Sequence, residues 1–284
     1  MSANPIREPA VAGQFYPGTR AELRAEIEAC YLDARGPGAL PEVAEDGPRE
    51  VLGLVSPHAG YFYSGAPAAM GYARLAQDGR PATVVIVGPS HQLGGFVVGL
   101  QSAGAWRTPL GDAQIDEATA LALAAALPGA VDDARAFTYE HSLEVQVPFL
   151  QHLYGERLRI VPVIMAEQSD SVAQALGTAL GVALAGRDAV IVASTDMTHM
   201  QPAAVAREQD LHLASYIERR DPAGLLRERR RGDVTMCGYG PVAAMLLATE
   251  ALGAHRAEVL AYRQSGDVAA MPDVVGYLSA VVLK

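Results

Sequence analysis

Four short runs of the chain are β-branched and apolar at consecutive positions: VLGLVS at 51–56, TVVIVG at 83–88, RIVPVIM at 159–165 and AVIVAS at 189–194. Strands of a sheet covered on both faces read this way, because neither alternating face meets water. Between and after them lie Ala/Leu-rich stretches of helical length, IDEATALALAAAL (115–127), SLEVQVPFLQHLYG (142–155) and SDSVAQALGTALGVALAG (169–186). A further apolar helix, PVAAMLLATEALG (241–253), precedes two strand-like segments, EVLAYRQS (258–265) and VVGYLSAVVL (274–283). This alternation predicts an α/β fold, a three-layer α/β/α sandwich around a mostly parallel or mixed central sheet. Residues 36–48 read as a surface loop after a first helix that contains AELRAEIEACYL, and with no low-complexity linker the expectation is a single domain over 1–284.

Three of the four runs end in a short polar stretch carrying a histidine: SPHAG with His58, GPSHQ with His91 and STDMTH with His199. In open α/β sheets ligands bind outside the carboxyl ends of the strands, so the three imidazoles are expected to converge. A lone histidine after a strand is ordinarily a hydrogen-bonded structural residue, but three in equivalent places favour a site. Gly60 and Gly65 after His58, and Gly88 and Gly94–Gly95 around His91, suit tight turns and close backbone approach. In TYEHSLEVQVPFLQ (138–151), Glu140 and His141 fall at the entrance of the predicted helix, with Ser142 as a candidate N-cap. Asp196 and His199 are three residues apart, so the carboxylate either orients the imidazole or caps a following helix. Cys237, among glycines ahead of the helix at 241–253, sits where a helix dipole lowers a thiol's pKa, and is a candidate ligand or nucleophile. Cys30, in a helical stretch, reads as packing.

Composition narrows the chemistry. The 284 residues are 50% apolar and carry a net charge of −10, which argues against a nucleic-acid partner; the basic cluster RERRR (227–231) reads as a solvated helix end. No apolar run approaches the roughly 20 residues of a membrane helix, and the first residues lack a signal-peptide core, so the expectation is a cytoplasmic protein with no membrane partner. The only lysine is Lys284 at the C-terminus, which removes Walker-type, Schiff-base and Ser-Lys mechanisms.

The blocks VAGQFYPG (11–18), PHAGYFYSG (57–65), GPSH (88–91), WRTPLGDAQID (106–116), EHSLEVQVPFLQ (140–151), STDMTH (194–199) and CGYGP (237–241), in this order, resemble the Memo family, whose bacterial members are called AmmeMemoRadiSam system protein B. Through that family the chain resembles the class III extradiol dioxygenases in fold. The resemblance implies that His58, His91 and Cys237 form a metal-binding set, with His199 as an acid/base histidine. It also implies genomic company with a radical-SAM protein and an AMMECR-type protein. The chain departs from the dioxygenases in offering a thiol where they complete a facial triad with a carboxylate, and thiolate shifts preference towards Cu(I), zinc or a differently tuned iron. Gln92 stands after His91 where some relatives carry a second histidine.

The leading expectation is a metal-dependent redox enzyme using Fe(II), with copper or zinc as alternatives, on a small aromatic or chelating substrate. His58, His91 and Cys237 would hold the metal. His199, oriented by Asp196, would move the substrate proton, His141 with Glu140 would hydrogen-bond substrate or water, and Tyr61 and Tyr63 would line the pocket. One alternative is a non-enzymatic peptide- or metal-binding protein. Another is a cysteine hydrolase with Cys237 as nucleophile.

Overall fold

A computed structural model describes residues 5–92, 95–232 and 235–284. The strands Val51–Ser56, Arg159–Met165 and Ala189–Ser194 occupy the expected runs, and Thr83–Pro89 extends one residue further. Every residue of Val51–Ser56, Thr83–Pro89 and Ala189–Ser194 is buried, which is why these runs carry no alternation. The four pair in parallel, in the order Arg159–Met165, Thr83–Pro89, Ala189–Ser194, Val51–Ser56. Asp273–Leu283 pairs antiparallel with Val51–Ser56 and carries Arg256–Gln264 and the short strand His199–Pro202. On the other flank Gly111–Ile115 pairs in parallel with Arg159–Met165; with the antiparallel Asp273–Leu283 the sheet is mixed, and it has twelve strands among the described residues.

Helices Arg20–Leu32, Tyr61–Asp78 and Val147–Tyr154 pack together over one face of this sheet. Asp170–Leu184 and Tyr239–Ala251 pack over the other, giving the three-layer sandwich. One apolar cluster runs through both interlayer spaces, where each fully buried large side chain contributes roughly 1.5–3 kcal/mol. Tyr72 and Phe149 stack at 4.9 Å with planes 5° apart, fixing Val147–Tyr154 against Tyr61–Asp78. That contact sets the position of the segment just before it, 140–146.

The chain leaves Val51–Ser56 and enters Thr83–Pro89, leaving a gap that Ala189–Ser194 later fills. This crossover is a topological switch point, and it lays three strand ends side by side: Ser56 pairs with Ser194, and Val87 with Ala193. Among the described residues no helix is long and apolar enough to cross a membrane.

Three local expectations are corrected. Gly65 makes no turn: it lies inside the helix Tyr61–Asp78, where a Cβ would stand 2.3 Å from Cys30 Sγ, so its role is close helix packing. Gly60 stands at the N-cap of this helix, while Gly65 and Pro67 lie inside it, where burial outweighs their low helix propensity. The helix expected at 142–155 begins only at Val147, after a 3-10 turn Glu144–Gln146; Ser142 is no N-cap, because its hydroxyl donates to Pro89 O at 2.9 Å. Asp196 caps no helix either: the chain runs into His199–Pro202, and the next helix starts at Ala203. Gly94 lies outside the described residues.

Candidate metal centre

His58 follows Val51–Ser56 by two residues and is buried, while His91 follows Thr83–Pro89 and is partly open, with 33% of its side chain exposed. Cys237 reaches them from the turn before Tyr239–Ala251. Its neighbour Gly238 leaves no room for a Cβ, which would lie 2.3 Å from Ser194 O, so only glycine lets this turn press against the strand end. One ligand atom each from His58, His91 and Cys237 lies within 4.8 Å of the others, and His58 Nε2 is 3.2 Å from Cys237 Sγ.

Each imidazole is held through its far nitrogen. His91 Nδ1 faces Glu140 Oε1 at 2.9 Å, and the His91 backbone N–H donates to Glu140 Oε2 at 2.6 Å. Burial works to raise the Glu140 carboxyl, but the hydrogen bond and charge of His91 with the N–H groups of His91 and Ser142 bring it down to about 2. An ionised carboxylate only accepts, so Nδ1 of His91 is the donor in this pair, and Nε2 is the nitrogen left for a metal. His58 Nδ1 lies 2.9 Å from Ser194 Oγ. Burial, then the charges of His141, His91 and His199, hold His58 well below the usual imidazole range, in the neutral form a metal requires.

Cys237 Sγ accepts from Asp196 N–H at 3.1 Å. The expectation of a thiol acidified by the helix is corrected: burial, then the Asp196 carboxylate, push it well above its usual value. A bound dication reverses that balance, since a coordinating thiol is deprotonated outright. Two imidazoles whose Nδ1 atoms are engaged behind them, and a thiol, therefore fit a transition-metal ion by donor chemistry.

Around this set stand the other predicted residues. His141 stacks on His91 at 4.5 Å and packs on Phe15 at 4.8 Å. Burial and His91 lower its pKa, keeping it neutral. His91, Glu140 and His141 also cluster at ligand spacing, but both Glu140 oxygens are engaged by N–H groups of His91 and Ser142, so this carboxylate orients His91. His199 Nδ1 is placed 2.9 Å from Met197 O and 3.1 Å from Thr235 O, two carbonyls, so Nδ1 is a donor. Asp196 does not orient it, as had been expected: among the described residues the carboxylate makes no hydrogen bond to His199, and Oδ1 accepts from His58 N–H at 2.7 Å. Tyr61 is also corrected. It is 4% exposed and its hydroxyl donates to Val145 O at 2.6 Å, so it belongs to the core, whereas Tyr63 is half-buried.

Sequence reasoning missed Ser194 and Gln146, whose only signal is a polar residue ending or interrupting an apolar run. It also left Glu144 without a role. That buried carboxylate accepts from Arg7 Nη1, Ala10 N, Val11 N and Tyr16 OH, tying the N-terminal segment beside the site.

The fold and these donors define an α/β sandwich with a candidate His/Cys metal-binding cluster at a topological switch point. The chain belongs to the Memo family: the family model described as Memo-like protein matches residues 7–281. It is 47% identical to a MEMO1 family protein of Methanopyrus kandleri, covering 97% of this chain and 98% of that protein. A MEMO1 family protein of Methanothermobacter thermautotrophicus is 44% identical over 96% of this chain and 98% of its own length. One from Thermotoga neapolitana is 42% identical over 98% and 99%.

Proposed function

We propose that this chain is a metal-dependent redox enzyme that uses Fe(II) and acts on a small aromatic or otherwise chelating substrate with dioxygen. The observation that carries this reading is the pairing of a three-donor cluster with two further imidazoles, His141 and His199, outside that set. His58, His91 and Cys237 would hold the ion. Fe(II) in an open three-donor site supplies an electron path between a chelated substrate and dioxygen.

The chain's own residues account for the remainder. Neutral His141 can accept a proton on the exposed side of His91, and His199, its Nδ1 fixed by carbonyls, can take or return one at Nε2. His199 is near enough for its charge to weigh on His58. Phe15 packs against His141 and holds its ring beside His91. Anaerobic iron loading followed by oxygen-consumption assays over a catechol panel tests the reaction. Unchanged iron binding in a Cys237→Ala, His58→Ala double variant would overturn the site.

A second reading, a cysteine hydrolase, draws on the 3.2 Å separation of Cys237 Sγ and His58 Nε2, which is nucleophile-to-base reach. An amidase activity abolished by iodoacetamide and untouched by a chelator would replace the metal reading with this one.

A further inference from the structure

The hydrogen bonds behind His58 can be assigned from two groups that can only accept. Gln146 Nε2 lies 2.9 Å from Pro57 O, a carbonyl, which fixes the amide with its nitrogen on that side; Tyr72 OH then donates to Gln146 Oε1 at 2.6 Å. The same Nε2 lies 2.9 Å from Ser194 Oγ and so donates to it. Ser194 Oγ lies 2.7 Å from Ser142 O, another carbonyl, which takes the hydroxyl's single proton. The remaining neighbour of Ser194 Oγ is His58 Nδ1 at 2.9 Å, and with the hydroxyl proton already used this nitrogen must be the donor. His58 therefore carries its proton on Nδ1, and Nε2, the atom 3.2 Å from Cys237 Sγ, keeps its lone pair.

We infer that Ser194 and Gln146 are positioning residues that lock His58 into the tautomer able to bind metal through Nε2. This rests on the metal-binding reading above. Both locks issue from one short segment: Glu140 fixes His91, while Ser142 O and Gln146 fix His58 through Ser194. Ser142 N–H donates to Glu140 Oε1 at 2.8 Å, so the two arms are joined. Ser56 provides an internal contrast, because it pairs in register with Ser194 and is equally buried, yet among the described residues its hydroxyl makes no hydrogen bond to either imidazole and faces Tyr72 instead.

Nitrogen-15 NMR of the metal-free wild-type protein should report His58 as the Nδ1–H form. An Nε2–H form there overturns the inference without any variant. Anaerobic Co(II) titration, followed by the thiolate-to-cobalt absorption band, should show Ser194→Ala weakening binding about 10- to 100-fold, as loss of a ligand's outer hydrogen bond does. Gln146→Met, which keeps the hydroxyl's proton on Ser142 O but removes one donor, should weaken it less. Ser194→Thr should restore affinity, and Ser56→Ala should leave it unchanged. Wild-type affinity in Ser194→Ala, with His58 still in the Nδ1–H form, overturns the positioning role and leaves the metal site standing. If the wild type binds no Co(II) or Fe(II), the metal reading fails, while the NMR result still decides the tautomer.

Discussion

Two polar clusters border the same segment, 140–146, one buried and one partly open, and they differ in what is left over. Around Glu144 every acceptor position is used: two backbone N–H groups, a tyrosine hydroxyl and the Arg7 guanidinium converge on one carboxylate. The same guanidinium also donates to Phe137 O and Glu140 O. Around His58, His91 and Cys237 the outer atoms are as fully engaged, yet the inner ones, two Nε2 atoms and a sulfur, face one another. A saturated cluster stabilises a fold; a cluster whose supports are satisfied and whose inward atoms are spare is prepared for a ligand.

The sharpest way to break this contrast is Glu144→Ala. Arg7 and Glu144 side chains are 2% and 1% exposed, so truncation strands a buried charge and should cost about 3–5 kcal/mol in urea unfolding. A loss under about 1 kcal/mol would mean that the saturated cluster is not structural. Next, Cys237→Ala should lower Co(II) or Fe(II) affinity by more than about 100-fold, beyond the loss of a supporting residue, while shifting unfolding free energy by less than about 1 kcal/mol. Equal losses of stability at both clusters would erase the distinction. Glu140→Gln should lie between, weakening metal binding about 10- to 100-fold by releasing His91 Nδ1, with isothermal titration as the measure.

The smallest effect belongs to a half-buried pair at the surface. Arg35 hydrogen-bonds Asp33 and holds its carboxyl at about 2, with the Asp33 side chain 26% exposed. A depressed carboxyl contributes stability above the unfolded value near 3.8 and loses it as pH falls towards 2. Asp33→Asn should therefore flatten the urea midpoint between pH 4 and 2, by about 1 kcal/mol or less because solvent screens the pair. A larger change would place this surface pair with the buried one.

The strands were legible because a sheet covered on both faces writes itself as uninterrupted β-branched runs, and His58 and His91 were legible because they follow those runs directly. The helix Tyr61–Asp78 was not, since its glycines are explained only by what they touch, Cys30 Sγ against Gly65 and the Leu54 side chain against Gly71. His199 followed the same strand-end pattern as the others, but its partners are carbonyls of Met197 and Thr235, and Asp196, the charged residue three positions before it, serves His58.

What the sequence determined alone is the architecture and the residue types gathered at the switch point, because period, β-branching and strand-end position are local properties. What only the tertiary structure decided is which nitrogen of each imidazole is spare. That depends on Glu140, 49 positions from His91, on Ser194, 136 positions from His58, and on Ser142 and Gln146 behind Ser194, all brought within 3 Å of their partners by packing of Val147–Tyr154 on Tyr61–Asp78. A tautomer is fixed by hydrogen-bond partners in space, and no pattern along the chain encodes it.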